Sequence, residues 1–254
     1  MKKSILILVF SSSLLFSCKQ DNNLVEVQIP EPEVIIESKF AIPQDFKAVG
    51  SPFKLFPITY TFEQFPDFID GKTFEFHYGR IYLSYANNLN SLVKNTDWNS
   101  KTISQICSEA SQEEDKAILK NGGGFYNHTL FFENLTPKKG KKPSDELKLA
   151  IEESFISFDE FKKSFEKEAL AQSGSNWVWL IVNVDKKLEI VTTSNENNPL
   201  MKNAPKKGKP ILCLDIWEHA YLLNSKHSKQ NYIEHFFNYI DWENVSEIYK
   251  SIQQ

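Results

Sequence analysis

Asp215-Ile216-Trp217-Glu218-His219 sets a carboxylate and an imidazole four residues apart, where an apolar run ends and a helical pattern begins. A turn or helix start brings residues at that spacing to one side. The pair suits a borderline transition metal. Two more histidines stand apart from it: His77 opens His77-Tyr78-Gly79-Arg80, and His128 lies in Tyr126-Asn127-His128-Thr129. Taken singly, each reads equally as a polar core residue, an exposed one or a ligand. An acidic residue at a helix start is also a common cap. His227 and His235 fall in a polar stretch and the last helix, where surface or packing roles suffice.

The elements that must position these groups follow from periodicity. Thr73 to about Val93 predicts a helix carrying His77, with Phe76, Tyr85 and Leu89 on one face. Residues 101–120 predict a second helix, closed by the break at Gly122-Gly123-Gly124. An apolar pattern over 125–135 carries His128, and the basic stretch 137–143 reads as a solvated turn. Ser144 reads as the cap of a helix over 145–155. Ser157 with Glu160 reads as a capping box for another. The period then changes. Residues 176–183 and 187–193 are β-rich runs separated by Val184-Asp185-Lys186, a hairpin signal, and 210–215 is a third strand. Helix resumes from His219 to about residue 251. Helices, a small antiparallel sheet and closing helices make an α+β protein.

The chain of 254 residues is 41% apolar with 20 Phe, enough to bury a core, so wholesale disorder is excluded. A net charge of −4 argues against a nucleic-acid partner, which would need a basic face. Three cysteines build no disulfide framework. Cys107 and Cys213 read as small buried apolar residues. The third, Cys18, ends a short basic start (Lys2, Lys3), an apolar run over 4–16 and Leu15-Phe16-Ser17, which resembles a bacterial lipobox. That resemblance implies cleavage before Cys18 and its lipidation; plain secretion with an incidental Cys is the other reading. Loss of Lys2 and Lys3 would take the net charge from −4 to −6. Residues 18–52, acidic and broken by Pro30, Pro32 and Pro43, read as a tether. A short strand packed on the domain is an alternative for LVEVQIPEPEVII.

Six stretches, in order, resemble the iron/manganese superoxide dismutases: FPITY (56–60), HYGRIYLSYANNLN (77–90), NGGGFYNHTLFF (121–132), GSNWVWL (174–180), TTSNENNPL (192–200) and LDIWEHAYLL (214–223). The resemblance implies an N-terminal α-helical hairpin over 53–140. It implies an α/β domain with a three-stranded antiparallel sheet over 141–254. It further implies one Mn or Fe ion per subunit, held by His77, His128, Asp215 and His219. Tyr85 aligns with a gateway tyrosine that positions solvent and relays protons. Trp177, Trp179 and Trp217 align with an aromatic shell. Glu218 aligns with a glutamate that bonds a ligating histidine of a partner subunit, which implies a homodimer.

The chain departs from the family at three places. A glutamine that the family sets against metal-bound solvent comes in one branch from the position of Gly124 and in the other from that of Glu196. Gly124 points to the manganese-like arrangement, with Glu in place of the amide. An ionised carboxylate can only accept hydrogen bonds, so a shifted redox potential and altered activity are expected. Direct metal binding by Glu196, or its outward displacement, are the other readings. Ile81 and Leu222 stand where His and Tyr usually meet near the substrate funnel. The expected function is conversion of superoxide to hydrogen peroxide and dioxygen, at a mononuclear Mn or Fe site on a protein lipid-anchored in the bacterial envelope. The alternative is a catalytically weak, metal-binding envelope lipoprotein.

Overall fold

The computed structural model describes residues 40–221 and 228–254. Cys18, the signal peptide, most of the expected tether, Leu222 and His227 lie outside the described residues.

Asp70 opens the first helical run: its Oδ1 accepts from the backbone N–H groups of Lys72 and Thr73 at the N-terminus of α1 (Gly71–Phe76). The chain continues through a π-helical segment, His77–Tyr82, into α2 (Leu83–Val93). Residues eight apart on an α-helix are about 80° out of register. The wider π turn lags in rotation and brings His77 and Tyr85 closer to a common face. Such insertions recur at functional sites.

The expected helix over 101–120 is instead two elements. Thr102 and Gln105 form a reciprocal capping box that starts α3 (Ile103–Glu109). Asp115 then turns the chain by accepting from Ser111 N–H and Trp98 Nε1. Helix α4 (Lys116–Glu133) runs straight through the three glycines expected to end a helix. They are there for close approach, not for a break. A Cβ on Gly123 would stand 2.2 Å from the Glu196 carbonyl oxygen, and one on Gly124 would stand 2.4 Å from the Tyr85 ring. Each glycine gives up roughly 1 kcal/mol of helix propensity relative to alanine, and what it admits is a neighbour that any side chain would displace.

Helices α5 (Asp145–Phe155) and α6 (Phe158–Ala171) begin at Ser144 and Ser157, whose side chains accept from Leu147 and Glu160 N–H. Strands β1 (Asn176–Asn183), β2 (Leu188–Ser194) and β3 (Gly208–Asp215) form an antiparallel sheet in the order β2-β1-β3. Trp177 pairs with Thr193 on one side and with Asp215 on the other. β1 is buried from Trp177 to Val182, as a central strand covered on both faces must be. The single helix expected from His219 is a short 3-10 turn (Glu218–Ala220), then α7 (Lys229–Phe236) and α8 (Trp242–Gln253). Ser228 and Asp241 cap the two helices and so divide them.

The tether expected over 18–52 does not extend through its last part. Phe40, Phe46 and Ala48 pack against the core. Phe46 fills the notch left by Gly79, where a Cβ would meet its ring at 2.4 Å. Val49 N–H donates to Asn87 Oδ1, and Asn90 Nδ2 donates to the carbonyls of Val49 and Phe53. Among the described residues no helix is long and apolar enough to cross a membrane.

Candidate metal centre

Four donors converge from three places in the fold. His77 begins the π-helical segment, His128 sits in α4, Asp215 ends β3, and His219 lies on the 3-10 turn after it. One ligand atom of each lies within 4.8 Å of the others. Asp215 Oδ2 is 3.2 Å from His77 Nε2, 3.8 Å from His128 Nε2 and 3.1 Å from His219 Nε2. His77, His128 and Asp215 are buried, and His219 is 16% exposed at its side chain.

Protonation suits a cation. Burial pulls His77 down from 6.5 to about 4, and burial followed by the charge of His77 holds His128 well below its ordinary value. Both rings are therefore neutral and hold a lone pair. Burial pushes the Asp215 carboxyl up, but His219 and His77 together outweigh it and hold the group below its ordinary range. His128 Nδ1 donates to the Gly124 carbonyl at 2.7 Å, which leaves Nε2 as the free lone pair. The Nε2 atoms of His77 and His128 are buried without a hydrogen-bond partner among the described residues. Buried polar atoms rarely stay unpaired. Three imidazoles, those of His77 and His128 neutral, and one carboxylate turned on one point fit a divalent or trivalent transition ion.

The surrounding residues hold the donors in place. Trp217 N–H donates to Asp215 Oδ1 at 2.8 Å and so orients the carboxylate. Its ring lies 5.3 Å from that of His219. Trp177 stands edge-on to His128 at 5.2 Å and stacks on Trp179, whose Nε1 donates to Thr193 Oγ1. Phe132 contacts the His77 ring at 5.2 Å. Glu218 is exposed on the 3-10 turn. Tyr82, which the sequence did not single out, stacks on His128 at 6.0 Å, and its hydroxyl meets Thr129 Oγ1.

Tyr85 lies 5.2 Å from the His128 ring, and its hydroxyl donates to Glu196 Oε1 at 3.2 Å. Glu196 is outside the four-donor group and 15% exposed at its side chain. It is neither a fifth member of the cluster nor swung out to solvent. Burial, and next the Glu196 charge, push the Tyr85 hydroxyl above its ordinary value, so it stays a donor. The turn carrying Glu196 is pinned by residues that gave no chemical signal of their own. Asn127 Nδ2 donates to the carbonyls of Glu196 and Asn197, Asn198 Nδ2 donates to Asn127 Oδ1, and Thr193 Oγ1 donates to the Asn197 carbonyl. Asn127 adjoins His128 in sequence, and all four fall inside the stretches 121–132 and 192–200 that carry the family resemblance.

Residues 52–136 match the family described as iron/manganese superoxide dismutases, alpha-hairpin domain, and residues 143–248 match the C-terminal domain of the same enzymes. The chain belongs to the iron/manganese superoxide dismutases. It is an oxidoreductase that takes superoxide as substrate, and its fold is the helical hairpin followed by the domain with the three-stranded sheet. The first match supplies His77, Tyr85 and His128 to the dismutase, and the second supplies Glu196, Asp215 and His219. Cys107 and Cys213 are free and buried, and burial pushes the Cys107 thiol up to about 12. Such thiols are poor nucleophiles.

Proposed function

We propose that the dismutase holds one Mn or Fe ion through His77, His128, Asp215 and His219 and uses Tyr85 and Glu196 as its gate. The convergence of the four donor atoms within 4.8 Å carries this reading. The bound ion supplies one-electron exchange, accepting an electron from one superoxide and returning it to the next. Two superoxide ions and two protons give one dioxygen and one hydrogen peroxide. A single carboxylate against a divalent or trivalent ion leaves net positive charge for an anionic substrate. The Tyr85 hydroxyl, held on Glu196 beside His128, is placed to hold or pass a proton at the approach to the centre. A glutamate here adds negative charge near the ion and favours its higher oxidation state.

The test is made on the purified protein loaded separately with manganese and with iron. Expected are about one metal per subunit and a fast superoxide-consuming rate with one of the two. Glu196→Gln is expected to raise the midpoint potential and change the rate. A metallated protein no faster than the free ion would leave only the weaker, metal-binding alternative. Unchanged potential and rate in Glu196→Gln would remove Glu196 from the gate.

The same reading extends to assembly and location. The exposed Glu218 supports a homodimer in which it reaches the partner's metal ligand. Cys18, after its apolar run, supports a lipid anchor in the bacterial envelope, where the enzyme would meet superoxide outside the cytoplasm.

A further inference from the structure

The gate of this dismutase carries a negative charge on the path of a negatively charged substrate. Glu196 Oε1 accepts from Tyr85, whose ring adjoins His128. A cleft lined by one sign of charge raises or lowers the on-rate of a charged ligand. A carboxylate at this point therefore opposes superoxide unless something offsets it. One cation does stand there. Lys120 lies in α4, eight residues before His128, and its Nζ is 3.7 Å from the same Glu196 oxygen. Its side chain is 63% exposed, so it reaches from solvent to the gate.

We infer that Lys120 is a positioning residue for dismutation: its ammonium offsets the Glu196 charge toward the incoming anion and keeps the carboxylate turned onto Tyr85. As an exposed pair it adds little to stability. Its effect falls instead on the approach of the anion, where the field of a single charge acts over about 10 Å at 0.1 M salt. Lys120, Glu196 and Tyr85 form a chain of contacts from solvent to the His128 ring, and the pairing of the first two sets a positive charge against the carboxylate. The inference rests on the placing of Tyr85 and Glu196 at the gate.

Lys120→Met in the metal-loaded enzyme tests it, with Lys120→Arg as the conservative variant and Glu196→Gln as a second background. The readouts are kcat/KM for superoxide over a range of ionic strength, and the dissociation constant of azide, an anionic probe, by optical titration. Lys120→Met is expected to lower kcat/KM and weaken azide by about threefold or more at low salt, with the gap closing as salt rises. Lys120→Arg is expected to restore both. In the Glu196→Gln background the loss is expected to shrink, because there is no carboxylate left to offset. Unchanged kcat/KM and azide binding in Lys120→Met would overturn the inference, as would an equal loss at all salt concentrations and in both backgrounds. If Glu196→Gln alone also changes neither potential nor rate, the gate assignment fails with it. If that variant does change them, only the role of Lys120 is lost.

Discussion

At the scale of the residue, the centre is set by protonation as much as by position. His77 is buried among aromatic rings and stays neutral down to about pH 4, whereas the same side chain in the unfolded chain binds a proton near 6.5. Between those values the unfolded state holds more protons, so acid favours unfolding of the metal-free chain. Chemical denaturation of metal-free protein is expected to show stability falling as the pH drops from 6.5 toward 4, and His77→Gln is expected to flatten that part of the profile. An equally steep fall in the variant would assign the acid sensitivity elsewhere. The ligand residues were legible because Asp215 and His219 share one short motif and His77 and His128 sit in stretches that resemble a known family. Lys120 was not legible: an exposed lysine on a helix gives no signal until the turn holding Glu196 is folded against it.

At the scale of the element, the glycines of α4 are the instructive case. Glycine punctuates sequences, and a run of three reads as a stop. Here the helix continues, because α2, α3 and the turn after β2 all press against it at those positions. The sequence carries no mark that separates a glycine that ends a helix from one that lets a neighbour in. The strands were easier, since their β-rich apolar runs and the Val184-Asp185-Lys186 turn are local, whereas the crowding at Gly123 arises from residues some seventy positions away. Gly123→Ala puts a methyl against a backbone carbonyl that cannot rotate away. The variant is expected to lose about 1–3 kcal/mol of stability and to lose dismutation beyond what its stability explains, because the Glu196 turn must move. A crystal structure with Glu196 and Tyr85 still in hydrogen-bond contact and full activity would contradict this.

At the scale of the whole molecule, the described fold begins earlier than the family match. Phe40 and Phe46 clasp the first helical run at Gly71 and Gly79, ahead of residue 52. Composition could not show this, because an acidic, proline-broken stretch looks the same whether or not its aromatic residues find notches. The proposed anchor is tested on the full-length chain in a bacterial host: the protein is expected in the membrane fraction with incorporated fatty acid, and Cys18→Ala is expected to abolish both. Incorporation that survives the substitution would refute lipidation at Cys18. The proposed gate draws on both matched halves, with Tyr85, seated against Gly124, from one and Glu196 from the other. Any side chain at position 124 meets the tyrosine ring at once, so filling that position requires Tyr85 to shift. The missing side chain at Gly124 is thus what gives the Tyr85 ring its berth, and the carboxylate that meets its hydroxyl comes from the turn after β2.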